Sequence, residues 1–247
     1  MSRSPRRFAL TALLSLLFFT GCSQSVSVPI GKAATTYPLS ENAADALIEV
    51  VLDGMVDEWH GVAPIWYEAG VVGQGPSRSG IDIYHVYMTN DSENLYLFFC
   101  TRISLQARYG NTPTSGELCD LYFDTDNDPR TGCQDVDGFD YGKISGYELK
   151  AWIPVGVYSK ATEQGPYISY DLLRANGDGE FVMGTPLHSE SSQDAGALIT
   201  HGSDGVEMAI PLESLGAEPG SAIRLLIKEA VDPFAKERYS EGSYTLR

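Results

Sequence analysis

From residue 45 onward, short apolar segments alternate with clusters of Gly, Asn, Asp and Pro. "LIEVVLDG" runs into a glycine turn. "DIYHVYMTN" alternates, with Ile83, His85 and Tyr87 on one predicted face and Tyr84, Val86 and Met88 on the other. "DSEN" is a turn, and "LYLFFCTRI" is a nearly continuous apolar run. "LCDLYFDT" alternates again, and "YELKAWIPV", "YISYDLL", "EFVMG", "VEMAIPL", "AIRLLIKEAV" and "SYTLR" complete the set. Period-2 segments bounded by turn residues predict an all-β fold, an antiparallel β-sandwich. No helical periodicity of ten residues or more occurs past the N-terminal region; "PLESLGAEPG" predicts one helical turn ended by Gly216.

The first 44 residues follow other rules. "MSRSPRR" is basic, and "FALTALLSLLFFTG" is apolar but short for a bilayer span, so residues 1–21 are expected to be a secretory signal. Phe19-Thr20-Gly21-Cys22 resembles a bacterial lipobox, which makes Cys22 the expected lipidation site. Ser23 after it favours the outer membrane by resemblance to lipoprotein sorting. Residues 22–44 are small, polar and aperiodic, a flexible tether; residues 45–247 are then one domain in the cell envelope. Removing residues 1–21 takes away Arg3, Arg6 and Arg7, leaving 14 Lys+Arg against 33 Asp+Glu, so the formal charge moves from −16 to −19. That surface repels phosphates, which argues against nucleic acid and leaves the lipid as the only membrane contact. In an oxidising compartment Cys100, Cys119 and Cys133 are expected to give one disulfide and one spare thiol. Cys100–Cys119 is favoured because the two segments look like neighbouring antiparallel strands. A Cys119–Cys133 bond would instead staple the acidic loop.

Four segments in order carry a family resemblance: "LDGMVDEWHGVAPI", "YMTNDSENLYLFFCTR", "FDTDNDPRTG" with "DGFDYGK" and "YELKAWIP", and "VEMAIPLESLG". Together they resemble the family 9 carbohydrate-binding modules and their DOMON-like relatives over about residues 46–230. The resemblance implies a jelly-roll β-sandwich that often binds sugars and often calcium. It does not imply a particular ligand. Trp59 is expected to be a buried anchor that packs the first loop onto the sandwich.

The densest chemistry is "LYFDTDNDPRTGCQDVDGFDY". Asp124, Asp126 and Asp128 alternate, and Asp135 falls at position 12 counted from Asp124, the spacing of an EF-hand loop. Pro129 stands where that loop needs glycine, and a strand rather than a helix enters it. The expectation is therefore a calcium loop of a β-sandwich, with Asp124, Asp126 and Asp128 at its centre and Asp135, Asp137 or Asp140 completing it. The alternative is an acidic turn held only by water. Histidines 60, 85, 188 and 201 show no zinc spacing. Glycosidases hold two acids apart in unlike environments, whereas here several share one, and no G-x-S-x-G or H-E-x-x-H occurs, so the domain is expected to be non-enzymatic.

Carbohydrate sites place aromatic faces against pyranose C–H faces. Trp66, Tyr67, Trp152, Tyr158, Tyr167 and Tyr170 are the candidates. The resemblance implies two rings clamping a terminal sugar, a part open to Trp66 and Trp152, with Tyr158 and Tyr170 beside them. Two other readings stand next to this one. One is a scaffold or accessory lipoprotein with no small ligand. The other is a DOMON-type haem carrier, for which His85 and Met88, three apart on a strand, face opposite ways and cannot share one iron.

Overall fold

The structure, a computed structural model, describes residues 48–67, 81, 83–109, 115–135, 145–157, 165–229 and 238–247. The signal segment, Cys22, the tether, Asp137, Asp140 and Tyr158 lie outside the described residues. Among the described residues no helix is long and apolar enough to cross a membrane.

The strands are β1 (Trp66–Tyr67), β2 (Ile83–Asn90), β3 (Asn94–Thr101), β4 (Gly116–Asp124), β5 (Leu149–Val157), β6 (Pro166–Arg174), β7 (His188–Ser191), β8 (Ile199–His201), β9 (Gly205–Pro211), β10 (Ala222–Glu229) and β11 (Arg238–Thr245). Two short helices, α1 (Leu105–Tyr109) and α2 (Leu212–Leu215), and a 3-10 turn at Asp57–Trp59 join them. All the pairing is antiparallel, in a five-stranded sheet of order β1-β2-β3-β9-β8 and a six-stranded sheet of order β11-β10-β4-β5-β6-β7. One apolar cluster draws Leu95, Leu97, Phe99, Val206, Met208 and Ile210 from the first sheet. It draws Leu121, Phe123, Ala151, Ile153, Ile168 and Leu172 from the second, which makes the fold an all-β sandwich. Each large aliphatic or aromatic side chain buried there contributes about 1.5–3 kcal/mol.

The continuous apolar run of β3 is explained by covering on both faces. Leu95, Leu97 and Phe99 point into the sandwich, while Phe98 and Cys100 point outward under Trp59, with Tyr87 beside them. Trp59 is 1% exposed, and its ring lies 5.8 Å from that of Phe98, so it is the expected anchor. A β-bulge between Ile83 and His85 resets the alternation of β2. Ile83 therefore joins Val86 and Met88 in the core, Tyr84 packs with Tyr87 outside, and the predicted split of these faces fails at Ile83 and Tyr84. "LIEVVLDG" is not a strand from Ile48 on: Ile48 and Val50 cover the Trp59 cluster. "EFVMG" makes one isolated bridge at Phe181 and then turns, leaving Val182 and Met183 about half exposed. α2 ends as expected at Gly216, whose φ is 68°.

Cys100 and Cys119 are not neighbours. β3 and β4 belong to different sheets, and the three cysteines lie in three separate clusters. Cys100 is under Trp59, Cys119 in the inter-sheet core, and Cys133 behind the six-stranded sheet with Tyr122 and Tyr147. No disulfide joins them. Burial pushes the Cys100 thiol up to about 11, which makes it inert as a thiolate.

Candidate metal centre

β4 ends at Asp124, a residue 0% exposed, and the chain then turns through Thr125–Thr131 before Cys133 bridges back to Tyr147. The sharp turn that Pro129 cannot make occurs at Asn127, which takes φ 56°. Asparagine tolerates that left-handed conformation better than most residues. Local bonds set the loop: Asn127 N donates to Asp124 Oδ1 at 2.6 Å, and Asp128 N donates to Asp126 Oδ1 at 2.8 Å.

Carboxylate oxygens of Asp124, Asp126 and Glu148 all lie within 4.8 Å of one another. Glu148, just before β5, accepts Thr125 N at 2.9 Å and the Thr131 hydroxyl at 2.6 Å. That hydroxyl also lies 3.1 Å from both oxygens of Asp126 and 2.9 Å from the Asp128 carbonyl. One hydroxyl has one proton, so it cannot satisfy these acceptors together. On the other flank, Arg224 Nη2 of β10 reaches Asp124 Oδ2 at 2.8 Å and donates to Ser145 O at 2.8 Å. Burial pushes the Asp124 carboxyl above the usual range, and Arg224 and the Asn127 N–H pull it back.

Two expected ligands are elsewhere. The Asp128 carboxylate is held by Arg130, through Nε at 2.8 Å and Nη2 at 2.6 Å, and that pair lowers it to about 2. Asp135 is exposed and outside the gathered set. Glu148 takes the third place. Its signal was present as the glutamate after the tyrosine in "YELKAWIP", but sequence spacing alone gave it no reason to meet Asp124. The donor set is all oxygen, which suits a hard cation such as calcium better than zinc.

The aromatic candidates separate by position. Trp66 is 8% exposed and Tyr170 fully buried, both in the inter-sheet core, so neither can stack on a sugar. The Tyr170 hydroxyl donates to Ala209 O at 2.8 Å, bracing one sheet against the other. Trp152 is half-buried on the outer face of the six-stranded sheet, in register with Asp120 on one side and Asp171 on the other. Its charged neighbours are already engaged. Lys150 Nζ meets Asp120 Oδ2 at 2.7 Å, the Tyr122 hydroxyl reaches the same oxygen at 3.1 Å, and the Ser189 hydroxyl donates to Asp171 at 2.6 Å. The other Asp120 oxygen is buried with no donor, and Glu117 hydrogen-bonds this side chain. Burial and the Asp120 charge push Glu117 up to about 7, so a protonated Glu117 can supply the missing donor.

A second buried carboxylate, Glu207 of β9, ties down the first loop. It accepts Asp53 N at 2.8 Å, Gly54 N at 2.6 Å and Trp59 Nε1 at 2.6 Å. Burial raises its carboxyl, and these three donors oppose the rise. Comparison with family models, curated proteins and solved structures finds no match to this chain.

Proposed function

We propose that this chain is a non-catalytic, glycan-binding β-sandwich module of the bacterial cell envelope, anchored by a lipid on Cys22 and braced by a structural calcium ion. The observation that carries the metal part is the gathering of Asp124, Asp126 and Glu148 within 4.8 Å, with Asp124 fully buried. Three carboxylates this close repel one another by about 1 kcal/mol per pair even at the dielectric of water. A divalent cation removes that repulsion and takes lone pairs of the carboxylate oxygens that the single Thr131 proton cannot serve. In this role the loop locks the end of β4 to the start of β5.

The glycan part is supported by the sequence resemblance and by the way its segments meet. "LDGMVDEW" reaches the glutamate of "VEMAIP" through Glu207, and "FDTDND" reaches the glutamate of "YELKAWIP" through Glu148. The motif residues thus form two brackets that fix loops to the sandwich.

Thermal melting of the full chain with chelator and with added calcium tests the metal. Calcium at 100 times its dissociation constant adds about 2.7 kcal/mol, which for a domain near 200 residues raises Tm by roughly 5–10 °C. Asp126→Asn should abolish most of this shift. A melting curve indifferent to calcium, chelator and Asp126→Asn would reduce the loop to an acidic turn. A glycan array over plant, algal and host glycans tests the ligand; a blank array ends the carbohydrate reading.

A further inference from the structure

Where the two sheets adjoin, β8 of the first lies against β6 of the second. Here the chain forms an open cavity of about 410 Å³, lined by Gly165, Pro166, Tyr167, Ser192, Gln193, Thr200 and His201. We infer that this cavity, and not the face around Trp152, is the ligand site, and that it takes one neutral pyranose unit of a glycan. The inference rests on the carbohydrate reading above and deepens it.

Two of the lining residues, His201 and Ser192, are tied down by hydrogen bonds. His201 Nε2–H donates to Pro166 O at 2.9 Å across the two sheets. Ser192 is tied at two points: its hydroxyl oxygen accepts Ile168 N at 3.0 Å, and its own N–H donates to Ile168 O at 2.9 Å. A preformed site loses little entropy on binding. Its volume lies in the range of small-ligand sites, about 300–1,000 Å³.

The lining selects the chemistry. The cavity is mostly polar, yet it includes no Asp, Glu, Lys or Arg. Another cavity, beside α2, is lined in part by Glu93, Glu213 and Glu218. A uronate or sulfated sugar would find no counter-charge here. A neutral polyol would find hydroxyls, an amide and an imidazole, which together both donate and accept. With its Nε2–H directed at Pro166 O, the His201 ring has Nδ1 as its remaining polar atom.

The cavity also has a platform. Tyr167 is in register with Gly156 of β5. A Cβ at position 156 would lie 2.0 Å from Tyr167 Cζ, so the glycine makes room for the ring to lie across the sheet. A ring held in this way can offer a fixed face to sugar C–H groups. Around Trp152, by contrast, the neighbouring acids are committed to Lys150, Tyr122 and Ser189.

The test is an array of neutral and uronate-bearing glycans probed with the full chain and with Tyr167→Ala, Gly156→Val, Gln193→Ala and Trp152→Ala. Gln193 is exposed, so its variant should fold normally and should lose affinity by about 3–10-fold. The expected result is hits confined to neutral glycans, weakened at least about 10-fold by Tyr167→Ala and Gly156→Val, and unchanged by Trp152→Ala. Hits lost with Trp152→Ala but kept with both Gln193→Ala and Tyr167→Ala would overturn this inference while leaving the carbohydrate reading intact. Hits only on uronates would overturn the choice of ligand class. A blank array would instead end the carbohydrate reading, and this site with it.

Discussion

Glu207 is the residue whose removal should cost the fold most for the fewest atoms. Its carboxylate is 0% exposed and accepts three N–H groups from a loop more than 140 residues away in sequence. Glu207→Ala leaves Gly54 N and Trp59 Nε1 buried without acceptors. Each unsatisfied buried donor costs about 1–3 kcal/mol. The Asp53 N–H, only part-buried, can turn to water and adds less. The expected loss is therefore about 3–5 kcal/mol, a large share of the roughly 5–15 kcal/mol that holds a typical domain. Trp59→Phe keeps a ring against Phe98 but removes one donor, and should cost about 1–2 kcal/mol. The two residues share one bond, so the double variant should be less destabilised than the sum, with a coupling of about 1–2 kcal/mol. Urea unfolding of the four proteins measures this directly. If Glu207→Ala lies within 1 kcal/mol of the parent, or the coupling is near zero, the bracket does not hold the loop and its geometry has been overvalued.

Three other outcomes follow from particular contacts. Glu117 is raised to about 7 from 4.5, so the folded state retains a proton that the unfolded chain has lost. Its contribution is intact below about 4.5 and is lost as pH rises through 7; urea titrations from pH 5 to 8 should show that decline flattened in Glu117→Gln, whose amide can donate to Asp120 at every pH, and parallel curves would refute the shared proton. The Cys22→Ser chain, denatured without reductant, should titrate three thiols, because Cys100, Cys119 and Cys133 occupy separate clusters; a count of one would mean that a disulfide pulls two layers together. Gly54→Ala should destabilise by about 2 kcal/mol or more, since Gly54 has φ 75° and an added Cβ would meet Gly202 N at 2.0 Å; an unchanged melting temperature would mean that the "DG" turn rearranges freely.

The sandwich was legible because strand alternation and turn chemistry are local. β2, β3, β4, β5, β6, β9 and β10 all fall on segments picked out by period-2 patterning. The misses have local causes too. β7, "HSES", is a polar edge strand with no apolar alternation to detect, and β8 has three residues. "EFVMG" looked like a strand by composition but has no sheet partner beyond one bridge. The bulge at Ile83/His85 put Ile83 and Tyr84 on the faces opposite to those expected because one extra residue shifts the period.

Sites were less legible because they depend on which strands are neighbours, and no local pattern encodes that. The acidic loop was visible, but only the pairing of β4 with β5 brings Glu148 to Asp124 and Asp126, and only Arg130 explains why Asp128 turns away. The same argument separates the aromatics. Trp66, Tyr167 and Tyr170 are all aromatic. Trp66 and Tyr170 fill the core, whereas Tyr167, three residues from Tyr170 on the same strand, faces the other way and lines a cavity. Parity along β6 decides this, and Gly156 reinforces it: a glycine opposite an aromatic in the middle of a sheet weakens the strand, and here it leaves the space that the Tyr167 ring occupies. Composition could nominate the tyrosine, but only the register across β5 and β6 distinguishes a ring that supports the core from one that can meet a ligand.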